Sequence, residues 1–391
     1  MPQEAHDNDQ RDREPVQDSD HAHPEDDRSF DADMALCLSG GGYRAMLFHL
    51  GALTRLNELG KLRHVARISG VSGGSITAGV LGLAWKDLSW DGDDIATNFE
   101  DRVTKPIIDF AGKTIDAGSI IFGLLTPGRS IGQNVRRAYD KHLFDDATLN
   151  DLPDSSADEG PRFVINATNV QTGKLYRFSR PYEADYTIGM WRNTGRLLSE
   201  AVAASSAFPP VLSPLVIKSM GEFDESTKGE NAKPEFMDRI SLSDGGVYDN
   251  LGLETAWRRH GTILVSDGGG VMGTETDPKR DWARHGIRVA GIVDGQVRAL
   301  RKRQVIGLFG QGVREGSYWG MRGDVDGYEL DDPLEISEAS RDNAAHYETR
   351  LRKVPMSSRN DIVNWGYVIA DTALRRWVYP DAPRPGGLPR R

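Results

Sequence analysis

ALCLSGGGYRAMLFHLGAL, residues 35–53, joins three kinds of sequence without a break. The apolar run of Ala35, Leu36 and Leu38 reads as a strand. Gly40, Gly41 and Gly42 follow. From Tyr43 to Leu59 apolar residues recur at helical spacing (Leu47, Leu50, Ala52 or Leu53, Leu56), and Gly60 closes the helix. A strand that turns through bare backbone straight into a helix offers its amides to a ligand. A phosphate and a reacting carbonyl oxygen are the two candidates.

The phosphate reading fails on what comes next. Gly40-Gly41-Gly42-Tyr43-Arg44-Ala45 satisfies G-x-G-x-x-G/A. The dinucleotide fingerprint also needs an acidic residue ending the second strand, about 20 residues on. That strand, HVARIS (64–69), ends in Ile68-Ser69-Gly70 without a carboxylate, and no Gly-Lys-Ser/Thr of a P-loop follows the glycines. It runs instead into Gly70-Val71-Ser72-Gly73-Gly74, with SITAGVLGLAW (75–85) as the helix behind it. This is G-x-S-x-G on a strand–turn–helix junction, the arrangement of a nucleophile elbow. Alone it is also a common Gly/Ser-rich turn. Paired with the earlier glycine turn it supplies a complementary part: Ser72 attacks an acyl carbon, and the Gly40, Gly41 and Gly42 amides face the charge forming on its oxygen. Such donors are worth about 10²–10³ in rate each. Arg44 either supports the loop, meets an anionic group of a substrate, or forms a surface ion pair.

A serine hydroxyl needs a base. The histidines downstream of Ser72 are His142, His260, His285 and His346, all in polar, helical or loop surroundings. Two aspartates are better placed by sequence. Asp244 ends the strand RISLS (239–243) and Asp267 ends TILVS (262–266), each followed by two glycines. In an open parallel sheet the functional crevice lies at the carboxyl ends of the strands. An aspartate becomes a credible base when an apolar pocket raises its pKa. Spacing alone does not choose between the two.

Along the rest of the chain, 98–150 reads as mostly helical, RFVINATNV and KLYRFS (162–179) as two strands joined by a turn, 197–207 as a helix, and 282–307 and 364–378 as two more. Strand–helix alternation predicts a largely parallel sheet covered on both faces. The polar, breaker-rich stretch 220–235 reads as a surface loop, and the sequon at Asn166 as without consequence. Residues 1–33 carry twelve Asp/Glu against three Arg and read as a disordered acidic tail, in which His21 and His23 lack a fixed geometry for a metal. Residues 379–391 read as a disordered end. The net charge of −10 over 391 residues argues against a nucleic-acid partner. The single Cys37 excludes a disulfide framework and fits a reducing, cytoplasmic setting. No signal peptide is visible, and the longest apolar run, 76–85, falls short of the ~20 residues of a spanning helix.

GGGYR (40–44), GVSGG (70–74) and DGG (244–246), in that order, resemble the motifs of the patatin-like phospholipase family. AVAASSAFPPVLSP (201–214) and DGGVYDNLG (244–252) are similar to that family's body, and the resemblance covers roughly 34–378. It implies a three-layer α/β/α sandwich with a largely parallel central sheet. It implies a Ser–Asp dyad without histidine, and hydrolysis of acyl esters of lipids with no metal or other cofactor. It makes Ser72 the nucleophile, Asp244 the base, Gly40, Gly41 and Gly42 the oxyanion hole, and Arg44 the residue closing that motif. Asp267 is left a supporting position. The alternatives are a Ser–His–Asp carboxylesterase of α/β-hydrolase type and a lipid- or nucleotide-binding module without catalysis. The residues do not state an oligomeric state.

An acyl-lipid hydrolase has to meet a membrane or micelle. The segment 288–309 sets Val289, Ile292, Val293, Val297 and Leu300 beside Arg298, Arg301, Lys302 and Arg303. A basic amphipathic helix lies on anionic lipid, which would make the protein peripheral to a membrane. A helix packed through its apolar side, with a solvated basic face, is the commoner object and the favoured reading.

Overall fold

Strand β1 (Asp31–Leu38) alternates its side chains between two apolar layers. Leu36 and Leu38 join the larger core, while Ala35 and Cys37 join a smaller one on the opposite face. Burial on both faces is why the sequence here is a continuous apolar run. The computed structural model describes residues 31–115, 131–210, 212–270 and 272–391. The acidic stretch therefore lies outside the described residues as far as residue 30. Its last three positions already belong to β1, where Asp33 Oδ1 is 2.6 Å from His260 Nδ1. Part of the 98–150 helical reading, 116–130, also lies outside them.

Among the described residues eleven strands form one sheet. Its glycine-turn half is parallel, in the order β11 (Glu315–Gly320), β10 (His260–Asp267), β1, β2 (Val65–Val71) and β3 (Arg162–Asn169). Beyond β3 the pairing becomes antiparallel through β4 (Lys174–Ser179), β5 (Tyr182–Asp185), β6 (Gly189–Arg192) and β8 (Glu222–Asp224). The expected parallel sheet is thus one half of a mixed one, flanked by helices as an α/β/α sandwich. Strand β8 lies in the stretch read as a surface loop, and a turn of helix over Pro234–Met237 begins at its end.

Helix α1 (Gly42–Glu58) packs on the larger core together with α2 (Gly73–Ala84) and α5 (Met356–Trp377). Helices α1 and α5 approach backbone to backbone. A Cβ on Gly51 would stand 2.1 Å from the Val363 carbonyl oxygen, and one on Gly366 would stand 2.1 Å from that of Phe48. The smaller core holds Leu251, Leu253, Ala256 and Val305 over the other face of β1 and β10. Val305 belongs to α4 (Trp282–Gly310), and it is that helix's buried residue. The favoured expectation of a packed helix here is corrected: most of α4 stands clear of the core. No described helix is long and apolar enough to cross a membrane.

The carboxy-terminal end is corrected as well. Residues 379–391 form no helix or strand but are held in place. Asn364 Nδ2 donates to Arg390 O and Arg390 N–H returns a bond to Asn364 Oδ1, each 2.9 Å. Arg390 also pairs with Glu100 at 2.7 Å, and Arg55 donates to Pro383 O. Composition registered the missing periodicity and not these side-chain anchors.

The pairing of β3 positions the site. β2 pairs parallel to it as far as Val71↔Asn166. β9 (Arg239–Asp244) pairs antiparallel to it from Ala167↔Asp244 onward, while β4 takes the other edge. β9 itself pairs on with β7 (Leu215–Lys218). A strand has two edges, so β2 and β9 share one and meet head-on between Asn166 and Ala167. The carboxyl ends of both strands therefore face each other, with Ser72 just past one and Asp244 at the other.

Candidate active site

Ser72 follows β2 in a conformation that a side chain rarely adopts, φ 51° and ψ −115°. Such strain persists only where its surroundings impose it. Here they do. Ser72 N–H donates to Ser205 Oγ (2.9 Å), and Ser205, at the end of α3 (Leu198–Ser205), donates to Asn166 O (2.6 Å). With its one proton so placed, Ser205 Oγ accepts from Ser75 Oγ at 2.7 Å. The glycines after Ser72 let this elbow press on the first turn. A Cβ on Gly73 would lie 2.2 Å from Gly42 O, and one on Gly74 would lie 2.2 Å from Leu38 O. The N-termini of α1 and α2 converge on the same spot, and their dipoles favour negative charge there.

Asp244 is brought beside Ser72 by the meeting of the two strand ends, close enough for the serine to act on its carboxylate. The group is buried, 3% exposed. Burial pushes its pKa up to about 6; the hydrogen bond from Gly246 N–H and the neighbouring Ser72 side chain pull it back, and the charge of Asp294 adds to the rise. Gly246 N–H donates to Oδ1 at 2.8 Å, while Thr168 Oγ1 and the Ala207 carbonyl fix the residue's backbone. Asp267 is engaged elsewhere. Its Oδ1 accepts from Gly269 N–H (2.9 Å), and its Oδ2 accepts from Tyr318 (2.6 Å) and lies 3.7 Å from Arg298.

The glycine turn divides its labour in a way the sequence did not announce. Gly40 N–H donates to Asn250 O at 3.0 Å, so this amide is occupied. Among the described residues no acceptor meets the N–H of Gly41, Gly42 or Gly73. Gly41 (φ 143°) and Gly42 (φ 58°) make the turn in backbone regions that favour glycine. Arg44 is buried, and each guanidinium nitrogen holds a loop. Nε donates to Gly268 O (3.2 Å), Nη1 to Tyr347 O (2.5 Å) and Nη2 to Thr349 Oγ1 (2.7 Å). It clamps the segments after β10 and before α5 against the turn.

Two residues were missed. Ser205 holds the elbow's amide, and Asn250 wedges between the two site loops. A Cβ on Gly40 would stand 2.3 Å from Asn250 Oδ1, and one on Gly246 would stand 2.5 Å from it. Both lie in stretches whose likeness to the family was visible, but spacing gave neither a role. Asn166, the sequon residue, is buried beneath the elbow and donates to Ser69 Oγ and Gly70 O. The four downstream histidines are elsewhere. His142, His285 and His346 are exposed, and His260 sits at the start of β10 against Asp33 and Arg67. His49 lies under the glycine turn, between Ser266 Oγ (2.8 Å) and Ser39 O (2.9 Å), and burial lowers its pKa to about 4. Among the described residues no histidine hydrogen-bonds to Ser72 or Asp244.

The sequence profile of the family described as patatin-like phospholipase matches residues 36–257, more than half of the chain. Human GIVD cytosolic phospholipase A2 superposes with a TM-score of 0.50 at 12% identity, over 90% of this chain and 62% of that one. The same human protein in complex with methyl gamma-linolenyl fluorophosphonate gives 0.51 at 14%, over 90% and 58%. At such identity the likeness is one of fold, and this chain spans less than two thirds of the human protein's length. No curated protein matches the chain by sequence.

Proposed function

Because the chain belongs to the patatin-like phospholipase family, we propose that it is a serine hydrolase of acyl-lipid esters working through Ser72 and Asp244. The observation that carries this reading is the buried carboxylate set beside Ser72, with a pKa raised to about 6. At neutral pH such a group is ionised, yet it is a stronger base than an exposed aspartate.

Ser72 Oγ attacks the acyl carbon as its proton passes to Asp244. The charge that develops on the carbonyl oxygen meets the Gly41 and Gly42 amides, with Gly73 N–H beside them. Asp244 then returns the proton to the departing alcohol or lysolipid, leaving acyl-Ser72. Water attacks that ester, again giving its proton to Asp244, and the fatty acid leaves as Ser72 regains a proton. Gly40 and Arg44 hold the loop and do not bind the oxyanion in this reading.

The human relative's complex with a fluorophosphonate suggests the test. A fluorophosphonate probe should label the wild type and not Ser72→Ala. Asp244→Asn should fold normally and lose ester hydrolysis by about 10²–10⁴-fold. Single substitutions of His142, His260, His285 and His346 should leave hydrolysis intact. Loss of activity on one of those changes would transfer the reaction to a Ser–His–Asp esterase, and absence of labelling would remove catalysis altogether.

A further inference from the structure

Helix α4 is amphipathic the wrong way round for a helix packed on a core. Trp282, Val289, Val293 and Leu300 form one stripe, flanked by Ile292 and Val297, and all six are exposed, Trp282 by 89%. Its polar side faces the protein. Arg298 Nη1 donates to Gly270 O (2.7 Å), Arg301 pairs with Glu254 (2.6 Å), and Arg288 pairs with Glu275 (2.8 Å). Asp294 lies close enough to the site for its charge to act on Asp244 and to feel that of Asp267. The loop that Arg298 grips also carries Gly268, whose carbonyl would be 3.0 Å from a Cβ on Gly41. The outward apolar stripe thus lies one loop away from the glycine turn.

We infer that this stripe is a docking surface for an anionic lipid bilayer, an inference that rests on the acyl-lipid reading of the site. Charge selects the partner. Residues 282–310 hold six Arg/Lys against one Asp in a chain of net charge −10, with Arg288, Arg298 and Arg301 turned to the protein. Arg303 is exposed near one end of the stripe, and Lys279 and Arg280 are exposed before the other. Apolar side chains rimmed by cations seat in the headgroup–acyl boundary of an anionic membrane. A second copy of the chain would bring like charges together across the same face. Residues 1–30 are acidic but poor in apolar side chains, so they match the charge and not the stripe.

Full-length protein sedimented with phosphatidylcholine vesicles containing phosphatidylglycerol should bind, and added salt should weaken binding. Vesicles of phosphatidylcholine alone should bind it less. The double substitution V293D/L300D should cut binding by about tenfold or more while hydrolysis of a soluble short-chain ester stays at the wild-type rate. Arg303→Glu should weaken binding to the anionic vesicles alone. Wild-type protein left in the supernatant, or a double variant that binds as well as wild type, overturns the inference. So does a wild-type dimer that V293D/L300D dissolves without any vesicle binding. Soluble-ester hydrolysis and fluorophosphonate labelling report on the acyl-hydrolase reading separately, so the two failures are distinguishable.

Discussion

Asp244 shows how one buried carboxylate can be set for base work. Removal from water raises its pKa, and the Gly246 N–H and the neighbouring Ser72 restrain the rise, leaving it near 6. With Asp244 as the base, the sign of the pH dependence is fixed. The protonated acid cannot accept the Ser72 proton, so kcat/KM should fall as pH drops through about 6. Asp294 supplies part of the rise through its charge. Asp294→Asn should therefore move that acid limb to lower pH without removing activity, read from kcat/KM on a soluble ester. A limb that stays in place would deny the electrostatic link between α4 and the site. Sequence brought this dyad within reach but did not complete it. The two aspartates had equivalent flanks, each strand-final and followed by glycines. The difference lies in their partners: Asp267 is held by Tyr318 and Gly269, and Asp244 meets Ser72. Arg44 and Gly40 show the opposite limit. Their residue types fit an oxyanion motif, but their hydrogen bonds hold loops.

At the scale of elements, periodicity found the pieces and missed how some of them face. The runs at 35–39 and 262–266 are largely apolar because their strands are buried on both faces, whereas 64–69 carries Arg67 in an equally buried strand. The direction of β9 was hidden, since a strand's sequence does not state whether its neighbour is parallel. That direction is what brings Asp244 opposite Ser72. Helix α4 was visible as a helix, but its orientation was not. An amphipathic pattern says that two faces differ, and packing decides which one faces inward. Gly51 is a third case. In an exposed helix, Gly→Ala gains about 1 kcal/mol in propensity. In α1 the added methyl group would meet the backbone of α5 at 2.1 Å, and backbone cannot rotate aside as a side chain can. The clash should win, and Gly51→Ala should lower stability by about 1–3 kcal/mol, as overpacked cores do. A urea midpoint equal to or above wild type would mean that α1 and α5 separate more readily than their packing implies.

The whole molecule closes on itself through its last residues. Helices α1 and α5 are already bridged by Arg55 and Asp371 at 2.7 Å. The end of the chain reaches the same guanidinium through Pro383 O, then runs on to exchange two bonds with Asn364 of α5 and to pair Arg390 with Glu100. Such anchors are individually modest. An internal hydrogen bond nets about 1 kcal/mol, and an exposed ion pair contributes up to about 1. Against them stands the conformational entropy of holding a proline- and glycine-rich segment, so the net effect of the segment has to be small. Deleting residues 380–391 should therefore lower the stability of the chain by about 1–2 kcal/mol, without disturbing the site at the far end of α1. The expected result is a lower urea midpoint, with soluble-ester kcat/KM unchanged at a temperature where both proteins are folded. An unchanged midpoint would show that the segment's bonds are offset in full by its ordering. A loss of activity in the folded, shortened chain would show that the α1–α5 pair transmits the state of its outer end to the glycine turn from which α1 begins.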